Sequence, residues 1–101
     1  MKYNKLVRDK IPEIIKSKGK TPTTHTANDQ EYWQKLKEKL REEVDEFIQE
    51  DNKEELSDVL EVIYAICDQK DISKEELELI RKNKAEQRGS FKDKIILEEV
   101  N

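Results

Sequence analysis

The strongest constraint on this chain is a short block near its middle, where nine of the twelve residues from Leu56 to Cys67 are apolar or aromatic. Read as one helix from about Lys53 to Gln69, this block has no polar face wide enough to live in water, so it must be buried nearly all round. A chain of 101 residues is close to the size at which one core buries roughly 60 to 70% of the unfolded surface. One helical layer can hardly cover every side of such a segment, which predicts a homodimer or homotetramer with the third helix at its interface.

The surroundings of the block are strongly polar. Charged residues make up 44% of the chain and hydrophobic residues 34%, but the apolar positions fall in periodic groups, as in an ordered protein. From Asn28 or Asp29 to about Glu50, Trp33, Leu36, Leu40, Val44, Phe47 and Ile48 recur at three- and four-residue spacing, the stripe of an amphipathic helix. Asp51 and Asn52 break it, so the second and third helices are expected to be antiparallel neighbours.

Two weaker helices flank this pair. Pro12 to Lys16 reads as a brief helix with proline in its first turn, ended by Gly19, and Ser73 with Glu76 has capping-box spacing and opens a helix from about Lys74 to Gln87. Lys20 to Asn28, with Pro22 and four threonines, is the one long loop and is expected to be the most mobile segment. Ile95, Ile96 and Leu97 are β-compatible and could pair with Tyr3 to Val7 as a small ribbon. The expected fold is therefore all-α, a four-helix bundle with a short terminal β-ribbon as an addition, in a single domain over residues 1–101.

Several functional classes are disfavoured. A net charge of -4 offers little attraction to DNA or an anionic membrane, so neither is an expected partner. No apolar run nears the roughly 20 residues of a membrane span, and the first 20 residues lack the apolar segment of a secretory signal. One cysteine, Cys67, precludes an internal disulfide and a cysteine-rich zinc site, and these features together predict a cytoplasmic protein. Cys67 reads as a small core residue, the sole histidine, His25, as solvent-exposed, and Trp33 and Phe91 as core aromatics more readily than base-stacking ones.

Acidic residues carry the clearest chemistry. Glu42, Glu43 and Glu46 lie on the second helix and Glu55 and Asp58 near the start of the third, giving E-E-x-x-E and E-x-x-D across the turn. Residues three apart on a helix stand about 5 to 6 Å from one another, so Glu43 with Glu46 and Glu55 with Asp58 can each hold a cation. Glu55 also projects where its helix is otherwise apolar. An all-oxygen set of this kind suits Mg²⁺, with Mn²⁺ as the alternative, and magnesium commonly shares its remaining positions with substrate phosphates. The plainer explanation is chance, because the chain has 16 glutamates, and Glu75 with Glu78 repeats the spacing without looking like a ligand pair. Glu42 reads more simply as a lysine partner, and Glu55 as part of a cap begun by Asn52.

Basic residues gather at both ends. Lys82, Lys84, Arg88, Lys92 and Lys94 surround Gly89 and Ser90, and by themselves read mostly as a solvated face. Lys5, Arg8 and Lys10 form a second group with Asp9 among them, where a structural ion pair is as reasonable as a function.

Three blocks together, YNKLVRDKIPEII, LREEVDEFIQEDNKEELSDVLEVIYAI and KNKAEQRGSF, resemble the MazG-like, phosphoribosyl-ATP pyrophosphohydrolase-like family. That resemblance implies an all-α oligomer that cleaves nucleoside triphosphates between the α and β phosphates with magnesium, releasing a nucleoside monophosphate and pyrophosphate. It implies Glu43, Glu46, Glu55 and Asp58 as metal ligands, Glu42 as an additional catalytic acid, and Lys82, Lys84 and Arg88 on the substrate phosphates. Removal of noncanonical nucleotides is the implied role, favoured over phosphoribosyl-ATP as substrate. The sequence departs from the family pattern in the eight residues between Glu46 and Glu55, fewer than in many relatives, and in Ser90 where a second glycine would be familiar. The alternatives are a noncatalytic helical interaction module and a nucleotide-binding regulator that keeps the metal but turns over poorly.

Overall fold

The structure, a computed structural model, describes residues 3–101, so Met1 and Lys2 of the basic opening segment fall outside it. Among the described residues there are four helices and no strand: α1 (Ile11–Ser17), α2 (Asp29–Glu50), α3 (Lys53–Gln69) and α4 (Lys74–Arg88). The chain is thus all-α.

Helix starts are fixed by one device used three times. The Asn28 side chain accepts a hydrogen bond from the Glu31 amide at 2.9 Å, Asn52 accepts from Glu55 at 2.9 Å, and Ser73 accepts from Glu76 at 3.0 Å. Each satisfies one of the amides that a helix start leaves unpaired. Between α2 and α3, Asp51 takes a left-handed conformation (φ 56°), and its amide returns to the Phe47 carbonyl at 2.8 Å. Aspartate tolerates that region, and the turn folds α3 back along α2 as a helical hairpin.

The hairpin contains the core. Leu36 of α2 is fully buried, with Val62 and Cys67 of α3 nearly so, which places the cysteine as a core residue. Helix α4 touches α3 and makes no comparable contact with α2. The radius of gyration is 17.9 Å and the longest dimension 59 Å, against about 13 Å expected for a compact chain of this length. Leu56 and Leu60 of α3, Ile48 of α2 and Leu79 and Ile80 of α4 remain exposed, so a single chain leaves part of the apolar surface of these helices uncovered.

Two expectations fail. The terminal ribbon does not form: residues 3–7 and 91–100 have no strand structure, and Ile95, Ile96 and Leu97 are exposed. An isolated two-stranded ribbon is marginal in water, and the N-terminal segment instead ties its polar groups to α2 and α3 through Asn4, Lys5 and Arg8. Phe91 is not a core aromatic but 98% exposed, since it lies past the end of α4. No helix is long and apolar enough to cross a membrane among the described residues.

Candidate metal centre

The α2–α3 hairpin brings carboxylates from both helices to one place. Glu43, Glu55 and Asp58 each offer an oxygen, and these atoms all lie within 4.8 Å of one another. Glu43 is 7% exposed, the one charged side chain buried among the described residues. Glu55 and Asp58 are half-buried at the start of α3. The Asn52 cap fixes that start by holding the Glu55 amide, so the capping role expected of Asn52 and the clustering of Glu55 occur together.

Two oxygens in this cluster lack any partner: Glu43 Oε2 and Glu55 Oε2 are buried without a hydrogen bond. A buried acceptor left unpaired costs about 1 to 3 kcal/mol, more when charged. A hard cation held by these carboxylates would compensate their charge, and a set made only of oxygens suits Mg²⁺, Mn²⁺ or Ca²⁺ and not zinc. The donor set therefore fits such an ion and does not specify which one.

Cations of the chain neutralise part of the charge. Lys39, mostly buried one turn before Glu43, stands 3.2 Å from Glu43 and 3.5 Å from Glu42. Lys5 pairs with Glu42 at 2.8 Å, and Arg8 pairs with Asp58 at 2.7 Å. Burial pushes the Glu43 carboxyl above its ordinary value, Lys39 pulls it down, and the charge of Glu46 raises it again. Glu42 is held below its ordinary value: desolvation opposes this, and the hydrogen bond from Lys5 with the charge of Lys39 outweighs it.

The expected site residues thus separate into groups. Glu43, Glu55 and Asp58 converge. Glu46 stands outside that trio, half-buried and near enough to Glu43 for its charge to be felt. Glu42 is a lysine partner. Lys82, Lys84 and Arg88 lie exposed on α4, with no ion pair or hydrogen bond to the acidic cluster among the described residues. Lys39 was not singled out by its sequence context, although a lysine one turn before a glutamate that lies beside an apolar stripe is a detectable signal. Lys5 and Arg8 are separated from their partners by 37 and 50 residues, and no local spacing could have joined them.

Comparison with known proteins adds one short similarity. No family model matches the chain, and no solved structure matches it. An uncharacterized protein of Mycolicibacterium smegmatis is 56% identical over 41 residues, which are 41% of this chain and 42% of that protein. The chain therefore spans under half the length of the curated relative it matches.

Proposed function

We propose that this protein is a magnesium-dependent nucleoside triphosphate pyrophosphohydrolase of the MazG-like kind, acting on noncanonical nucleotides in the cytoplasm. The observation that carries this proposal is the convergence of Glu43, Glu55 and Asp58 from two helices, with a buried unpartnered oxygen on each of the two glutamates. The local charge agrees with it. Glu42, Glu43, Glu46, Glu55 and Asp58 are answered by Lys5, Arg8 and Lys39, so the carboxylates exceed the cations by two charges, the charge of one Mg²⁺.

Glu43, Glu55 and Asp58 would hold the ion, which when bound would draw the phosphates in and polarise them. Lys39, 3.2 Å from Glu43, favours its charged form against the larger opposing effect of burial. Glu46, beside Glu43 and outside the trio, is the group we assign to the proton of the attacking water. Water would add to the α-phosphorus, its proton would pass to Glu46, and the bond from that phosphorus to the bridging oxygen would break to release pyrophosphate.

We assign the active form to a homodimer or homotetramer joined through α3. Leu56, Val59, Leu60 and Ile63 line an apolar groove on its outer side, beside Ser57 and Lys53. A core of three buried apolar residues among the described residues is small for a chain of this length, and a second copy on that groove supplies the missing cover.

The test is pyrophosphate release, measured separately from phosphate, from standard and modified nucleoside triphosphates with magnesium. Release that disappears in both Glu43→Ala and Asp58→Ala supports the activity and its site. If no substrate yields pyrophosphate and magnesium leaves the melting temperature unchanged, a noncatalytic helical interaction module replaces it. Tight nucleotide binding without pyrophosphate release identifies a nucleotide-binding regulator.

A further inference from the structure

Two cations reach the acidic cluster from the segment before α1. Lys5 Nζ donates to Glu42 Oε1 at 2.8 Å, and an Arg8 guanidinium nitrogen donates to Asp58 Oδ1 at 2.7 Å. The backbone carrying them is fixed at both ends. Lys35 of α2 donates to the Asn4 carbonyl at 2.7 Å, and the Arg8 carbonyl accepts from the Ile11 amide, the first residue of α1, at 3.0 Å. One short segment is thus tied to α2, to α3 and to its own helix.

Stability is a poor reason for this arrangement. Both ion pairs are open to water, Lys5 being 43% and Arg8 55% exposed, and exposed pairs of this kind contribute little to folding. What the segment achieves is placement: it sets an ammonium and a guanidinium on the rim of a cluster whose other cation, Lys39, is mostly buried. Arginine has five donors in a planar fork, and the observed bond to Asp58 is made by a side chain that is 55% exposed. Asp58 belongs both to this pair and to the metal-ligand trio, so the guanidinium stands beside the place of the ion.

We propose that Lys5 and Arg8 form the anion-binding wall of the site, receiving phosphate oxygens of a metal-bound polyphosphate. This rests on the metal centre argued above, and it moves the phosphate contacts from Lys82, Lys84 and Arg88 on α4 to the N-terminal segment. A fork of donors beside a magnesium ligand matches a phosphate bridging metal and protein, and the lysine adds a mobile point charge. Without the polyphosphate, the two cations rest on Glu42 and Asp58.

Calorimetric titration of inorganic tripolyphosphate into the magnesium-loaded full chain tests this assignment, beside titration of magnesium alone. Lys5→Gln and Arg8→Gln are each expected to weaken tripolyphosphate about ten-fold, the loss of one charge-assisted hydrogen bond. Magnesium affinity measured alone stays equal or rises, since a competing cation has been removed. Arg8→Lys falls between wild type and Arg8→Gln, because it keeps the charge and loses the fork, and with Lys5→Gln it carries the test if Arg8→Gln does not fold. Lys82→Gln and Arg88→Gln leave tripolyphosphate binding unchanged. Wild-type affinity in both N-terminal variants, or an equal fall in magnesium affinity, overturns the assignment. A wild-type protein that binds no magnesium sinks the metal centre and this inference together, whereas normal magnesium binding with losses confined to the α4 variants sinks this inference alone.

Discussion

Replacing Glu43 by glutamine separates a carboxylate kept for structure from one kept for an ion. Each repulsion of Glu43 by Glu55 or Asp58, taken at the 4.8 Å outer limit of the cluster, costs about 3.5 kcal/mol at an effective dielectric constant near 20. The two together come to about 7 kcal/mol, and Lys39 at 3.2 Å returns about 5 kcal/mol on the same scale. The balance, about 2 kcal/mol, is a destabilisation of the ion-free protein, and the unpaired Oε2 adds to it. Glutamine removes the charge at nearly constant shape. Glu43→Gln should therefore melt higher than wild type in chelator, by roughly 4 to 8 °C for each 1 kcal/mol in a domain of this size. Adding magnesium should then raise the wild-type transition and leave the variant where it was, by mass action on a site the variant lacks. Scanning calorimetry on the two proteins, with chelator and with magnesium, gives all four values. A variant that melts lower in chelator, yet responds to magnesium like wild type, would refute a metal role for this carboxylate and make the Lys39 pair its purpose.

Other perturbations follow from the same geometry. Because burial raises the Glu43 carboxyl above its ordinary 4.5, the folded chain binds more protons than the unfolded one just above that pH, so this group's contribution to stability falls as pH rises through the interval. Melting curves of wild type minus Glu43→Gln in chelator should show that fall, and a difference that rises with pH would contradict it. Asn52→Ala should cost about 1 kcal/mol by loss of the α3 cap, and it should also weaken magnesium binding because the same hydrogen bond fixes the Glu55 backbone. Stability intact with weaker metal binding, or the reverse, would uncouple the two. Leu60→Glu on the outer side of α3 should shift sedimentation from a multiple of 12.0 kDa to the single chain or unfold it, and an unchanged assembly would move the interface elsewhere.

The helices were legible because each is specified locally. The three caps at Asn28, Asn52 and Ser73 act over three residues, and the apolar stripe of α2 repeats every turn, so both ends and faces can be read from the chain alone. The terminal segments were not legible for a physical reason. Ile95, Ile96 and Leu97 favour a strand by their side chains, but a strand exists only where a partner backbone is free, and the backbone around Asn4 is held by Lys35. Propensity describes one side of a pairing and is silent about the other.

The site shows the same limit in its charges. Glu43, Glu55 and Asp58 could be inferred because a helical hairpin with a two-residue connection must bring the end of one helix beside the start of the next. The counter-charges that come from outside the hairpin obey no such rule. Lys82, Lys84 and Arg88 formed the denser basic cluster in sequence, and α4 carries them along a helix that contacts α3 and not α2. Lys5 and Arg8, fewer and interrupted by Leu6 and Val7, are the ones that reach the carboxylates, because the segment that bears them lies across both helices of the hairpin. Density of charge along a chain measures solvation of a face; which charges meet is decided by the path of the backbone, and here that path favours the sparse cluster over the dense one.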